Sequence, residues 1–138
     1  MSPTRMSRVE SALRLALAFH QARNRHDIPA MLALFSADAV FESFEPAPDG
    51  QVLTGRDALT QFWRDFFQAS PRAKFESEDA FGLGEHAILR WCYQWAARDG
   101  SRQQLRGIEI FRVREGVICE LRMYAKSTPE KIQFGRGE

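Results

Sequence analysis

The chain has 138 residues, one domain's length, with 19 basic and 18 acidic residues and a net charge of +1. So even a balance supplies no global field to recruit nucleic acid or a charged membrane, and it favours a small, largely neutral partner. No apolar run approaches a membrane span, and the opening "MSPTRMSRVE" lacks the apolar stretch of a secretion signal, so the expected location is cytoplasmic.

In chain order, residues 1–7 are expected to form a lead, residues 8–126 the single domain and residues 127–138 a tail. Ser7 and Glu10 have the spacing of a capping box at the start of a first helix. Val9, Ala12, Leu13, Ala16 and Phe19 then recur at helical spacing, and His20 falls on the same arc. Asp27 followed by Ile28-Pro29 starts a second helix, predicted to run to about Phe35. The stretch "AVFESF" reads as a short strand, and "EPAPDG" as a loop. A third helix follows Gly55, carries Leu59, Phe62, Trp63, Phe66 and Phe67 on one stripe, and ends at Ser70-Pro71. From Lys74 onward, turn signals at "GLGE", "RDGS" and "REGV" divide four antiparallel strands. The pattern predicts an α+β fold, a cone-like curved antiparallel sheet wrapped around three N-terminal helices.

Register sharpens this. If Arg98-Asp99-Gly100 and Arg114-Glu115-Gly116 are three-residue loops with glycine in the left-handed position, odd-numbered residues in the last three strands share one face. That face holds Leu89, Trp91, Tyr93, Trp95, Leu105, Phe111, Leu121 and Met123, and among them Glu109, flanked by Leu89 and Leu121. Two-residue loops would bury arginines beside tryptophans. Cys92 and Cys119 then face opposite ways, against a disulfide. An inward carboxylate loses hydration, which favours the neutral acid unless a donor compensates. Glu109 is therefore expected to donate a hydrogen bond to a ligand, or else to be satisfied by His20, Tyr93 or Trp95.

The segments "NRHDIPAMLALFSADAVFES", "LTGRDALTQFW" and "RGIEIFRVREGVICELRMY", in this order over residues 8–126, resemble the ketosteroid-isomerase and nuclear-transport-factor superfamily, especially its SnoaL-like (polyketide-cyclase-like) members. The resemblance implies a cystatin-like, nuclear-transport-factor-like barrel, dimeric through its outer sheet face, with an apolar pocket between sheet and helices. The isomerases' helix-one tyrosine falls on Phe19, which has no hydroxyl, and their general-base aspartate falls on Ser43. Their protonated aspartate in the penultimate strand matches Glu109. The pocket-facing strand positions of the epoxide-hydrolase branch carry Trp91, Tyr93 and Met123, and Met123 also occupies the final-strand acid position of the polyketide cyclases.

The expected site accordingly has Glu109 as donor and His20 or Glu45 moving a proton. Phe19, Phe41, Ser43, Trp63, Trp91, Tyr93, Trp95, Phe111, Leu121 and Met123 form the ligand wall. No metal or cofactor is expected, since His20, His26 and His86 lack ligand spacing and no phosphate-cradling glycine loop is present. The expected function is a small-molecule pocket protein, with a cofactor-free isomerase, cyclase or hydratase activity on an apolar cyclic or carbonyl-containing metabolite. The alternative is a non-catalytic, dimeric binding or interaction module with a vestigial pocket.

Overall fold

The computed structural model describes residues 3–46, 48–96 and 99–126, with side chains from residue 12 onward. The expected tail, residues 127–138, lies outside them. Helix α1 spans Pro3–Asn24 and α2 Ile28–Leu32, strand β1 Phe35–Glu42 and β2 Val52–Thr54, helix α3 Arg56–Ala69, and the meander β3 Lys74–Leu83, β4 His86–Ala96, β5 Arg102–Arg114 and β6 Val117–Lys126.

Helix α1 begins at Pro3 rather than at Ser7, consistent with proline's fixed φ suiting a first turn. The Ser7 and Glu10 side chains lie outside the described residues. Its C-terminus closes without glycine. His26 takes a left-handed φ of 57°, Asp27 N–H reaches Ala22 C=O at 3.0 Å and His26 N–H reaches Arg23 C=O at 2.9 Å, the paired bonds of a Schellman turn. His26 is held there by stacking on Phe67 at 4.1 Å and by its Nε2 contact to Ala73 C=O at 2.9 Å. Asp27 next caps α2, accepting from Ala30 N–H at 3.2 Å. That helix stops at Leu32, short of the expected Phe35, because the chain needs Phe35 for the first pairing of β1.

The six strands form one open sheet in the order β2-β1-β6-β5-β4-β3. It is antiparallel except where β1 runs parallel to β6. Strand β1 starts earlier than "AVFESF" suggested, and the three-residue edge strand β2 is too short to leave a periodic signal. Helix α1 lies against β3, β4 and β5, while α3 covers β1 and β2. Phe19 sits between them, in edge-on contact with Phe35 at 5.4 Å, Phe111 at 5.6 Å and Trp63 at 6.0 Å.

The last hairpin corrects the expected turn. Arg114 pairs with Val117, so the loop is the two-residue Glu115-Gly116, with φ of 55° and 79° as a type I′ turn requires. The shift that this imposes is undone at once: the register slips between Arg112↔Glu120 and Val113↔Ile118, leaving Cys119 as an extra residue. The bulge keeps the arginines out of the core. It turns Ile118, which the odd–even rule would put on the face opposite Glu109, into a fully buried residue, and it places Met123 rather than Leu121 opposite Glu109. On the other side Leu89 opposes Glu109 as expected.

Candidate functional site

Helix α1 presents Ala16, Phe19, His20 and Arg23 to the sheet along one arc, all buried. Glu109, in the middle of β5, points at that arc and is wholly buried. Arg23 donates through Nη1 to Glu109 Oε1 at 2.8 Å and through Nη2 to Oε2 at 2.6 Å, with both side chains inaccessible to water. This is the fork-to-fork geometry in which guanidinium and carboxylate satisfy each other best. The guanidinium lies over the Phe75 ring at 3.9 Å and beside Phe19 at 5.0 Å, so its weakly hydrated faces meet aromatic rather than aliphatic surface.

Glu109 is thus an acceptor twice over, where the sequence suggested a donor, and its partner is Arg23 rather than His20, Tyr93 or Trp95. Arg23 escaped the sequence reading because arginine is ordinarily a surface residue. The available signal was its spacing, four residues beyond Phe19 and three beyond His20 on the same arc, together with the need of a buried acid for a donor.

His20 completes the cluster. Its Nδ1 lies 3.2 Å from Arg23 Nη2, and since arginine only donates, Nδ1 is the acceptor and the proton sits on Nε2. Asn24 is fixed by its own pair of bonds to the Phe75 backbone, at 2.7 Å and 2.9 Å, so its amide N–H at 3.4 Å from Nε2 is a packing contact rather than a hydrogen bond. Burial, and after it the charge of Arg23, pull the imidazole's pKa from 6.5 down to about 4. A base depressed in the folded state is protonated first in the unfolded chain. Its stabilising neutrality is fully present above pH 6.5 and is lost as pH falls toward 4. The loss should approach a magnitude on the order of 3 kcal/mol. Urea unfolding at pH 7.5 and 4.5, compared with His20→Gln, should show a smaller acid-side decline for the variant; parallel declines would contradict the assignment.

Tyr93 is stacked on Trp95 at 5.1 Å, and Phe75 lies edge-on to Trp91 at 5.0 Å. Phe41 and Trp63 are 5.7 Å apart on the α3 side. Phe19, Phe41, Trp91, Tyr93, Phe111 and Leu121 are each inaccessible to water, so a ligand reaches them only when side chains move aside. Met123 is buried beside them, and Trp95 is half-buried at the rim. Burial holds the Tyr93 phenol far above its ordinary range; a Ser70 hydrogen bond works against this and the charge of Glu45 adds to it. Ser43 serves the β1–β2 loop, donating to Glu45 C=O at 2.6 Å and accepting from Gln51 N–H at 3.3 Å, while Glu45 is half-buried at the loop. Among the described residues, the buried side-chain atoms without a hydrogen-bond partner include the N–H donors Arg23 Nε, Trp63 Nε1 and Trp91 Nε1 in the interior, besides Ser36 Oγ and Arg112 Nε.

Residues 16–121 match the model of the SnoaL-like domain, which is most of the chain. The chain belongs to the SnoaL-like domain family. It is similar to a nuclear-transport-factor-like protein of unknown function from Mesorhizobium loti, 32% identical over 87% of this chain and 94% of that one, with a TM-score of 0.74. It shares its fold with a candidate ketosteroid isomerase from Kribbella flavida, at 15% identity, 87% and 81% coverage and a TM-score of 0.74. A candidate polyketide cyclase from Xanthomonas campestris matches at 23% identity, 93% and 98% coverage and a TM-score of 0.73. No curated protein sequence matches the chain. Among the described residues of this SnoaL-like domain, no helix is long and apolar enough to cross a membrane.

Proposed function

We propose that this SnoaL-like domain binds a small, largely apolar molecule carrying an acceptor oxygen, taken up between α1, α3 and the sheet, with Arg23 as the polar anchor. The observation that carries the reading is the unpaired set of Arg23 Nε, Trp63 Nε1 and Trp91 Nε1. A buried donor left without an acceptor costs about 1–3 kcal/mol, and these interior groups are all donors, so a carbonyl or ether oxygen is the complementary chemistry. Glu109 spends both oxygens on Arg23 and orients it. In a cofactor-free isomerase, cyclase or hydratase step, the neutral His20 or the rim residue Glu45 would move the proton, and the ring wall would hold the substrate.

Probe ligands test this. With 2-acetylnaphthalene the melting temperature should rise and the indole N–H resonances of Trp63 and Trp91 should shift, whereas 2-ethylnaphthalene, which lacks the oxygen, should do neither. Equal responses to both probes, or to neither, would overturn the reading.

The same proposal includes a homodimer through the outer sheet face. Phe81, Ile88 and Ile110 lie in one cross-strand row and Ile108 and Tyr124 in the next, with Phe81 and Tyr124 each 48% exposed. Arg90, Arg112 and Arg122 rim this apolar band. Ile110→Asp should convert a species of twice 15.8 kDa to one of 15.8 kDa by light scattering, with unchanged circular dichroism. A wild-type protein already monomeric at high concentration would contradict it.

A further inference from the structure

We infer that the Phe44 ring is the gate of the interior site and the residue that limits what enters it, an inference that rests on the binding reading above. The inward face of the meander closes unevenly. Ala87, Phe111 and Leu121, one cross-strand row, are buried, whereas Trp95, its partner Gln103 and Ala125, toward the other end, are half-buried. Phe44 stands at that less protected end. Its ring packs on Trp91 at 5.7 Å, and the neighbouring Glu45 lies near enough to Tyr93 for its charge to act on the phenol. Phe44 is 8% exposed, while the indole behind it is wholly buried.

Among the described residues, Phe44 is the one Phe, Tyr or Trp carried by neither a helix nor a strand. Local opening takes least free energy where no ladder holds the backbone, so this ring moves before those on β4 or α3 do. Its flank is nonetheless fixed. Ser43 N–H donates to Gln51 C=O at 3.0 Å and Ser43 Oγ to Glu45 C=O at 2.6 Å, and Gly50 packs too closely on Ser43 C=O to admit a Cβ. The motion is therefore a rotamer change of one side chain over an anchored backbone. It uncovers Trp91, whose Nε1–H has no acceptor, so an entering oxygen meets a donor at the threshold.

The three tryptophans report on the gate without a ligand. In Phe44→Ala, measured in the full chain, the Trp91 Nε1–H should exchange with solvent at least about tenfold faster than in the wild type. The Trp63 Nε1–H, packed between α3 and the core, should keep its rate. Phe44→Leu, which leaves a smaller cavity, should show the same selectivity at about threefold. Stopped-flow mixing with 2-acetylnaphthalene adds the ligand's own rate. Association should be at least about tenfold faster in Phe44→Ala, with Kd within about threefold because both rates rise together. Unchanged Trp91 exchange, equal acceleration of Trp91 and Trp63 in both variants, or equal association rates in variant and wild type would overturn the gate. If the ketone binds neither protein, the binding reading falls and indole exchange alone decides the gate, so the two fail separately.

Discussion

Arg23→Met should destabilise the SnoaL-like domain by about 3–5 kcal/mol, the typical cost of stranding one member of a buried ion pair. Typical domain stabilities are only ~5–15 kcal/mol, so the variant will be marginal. The reason lies in the fully buried carboxylate of Glu109: both its oxygens accept from Arg23, and with the guanidinium gone neither has a cation. The double variant Arg23→Met, Glu109→Leu should recover most of the loss, because two apolar groups in that space leave no charge to desolvate. Urea melts of wild type, both single variants and the double variant give the coupling directly. A cost below about 1 kcal/mol for Arg23→Met, the range of exposed pairs, would show that the pair is solvated in solution.

Gly107→Ala should be nearly as damaging for an unrelated reason. A Cβ built at residue 107 falls 2.3 Å from Tyr124 C=O and 2.6 Å from Trp91 Cη2. Backbone cannot yield cheaply, and the indole is wedged between Phe75 at 5.0 Å and Phe44 at 5.7 Å. Overpacking of this kind costs about 1–3 kcal/mol, and the upper end is expected here because the strand pairing Gly107↔Ala125 must shift as well. Trp91→Phe in the Gly107→Ala background should relieve part of the clash. Additive effects of the two changes in urea melts would contradict a direct contact.

Periodicity made the helices, the meander and the inward direction of Glu109 legible, because each rests on local repetition of apolar residues. Gly107 opposes Trp91 in the pairing of β4 with β5. The β1–β6 parallel pair and the edge strand β2 were not legible, since Ser36, Ala37 and Asp38 interrupt the apolar run of β1 and three residues cannot show a period. The bulge at Cys119 was equally hidden: turn length and bulge compensate, so Glu109 still points inward while Ile118 turns to the core and Met123 takes the place opposite Glu109 expected for Leu121. At the site, the shared inward face of Trp91, Tyr93 and Phe111 followed from parity. The partner of Glu109 did not, because Arg23 is distant in sequence and its residue type argues for the surface; only packing α1 on β5 brings the two together. The expected hollow differs too, since the rings close over it until something moves them.

The Arg23 Nε–H resonance, followed by ¹⁵N spectroscopy at neutral pH with and without 2-acetylnaphthalene, bears most directly on the interior anchor. A buried, paired guanidinium should give a slowly exchanging signal that shifts as the ketone oxygen arrives. Rapid exchange typical of a surface arginine, with no shift at saturating ketone, would contradict both the pairing and the binding reading.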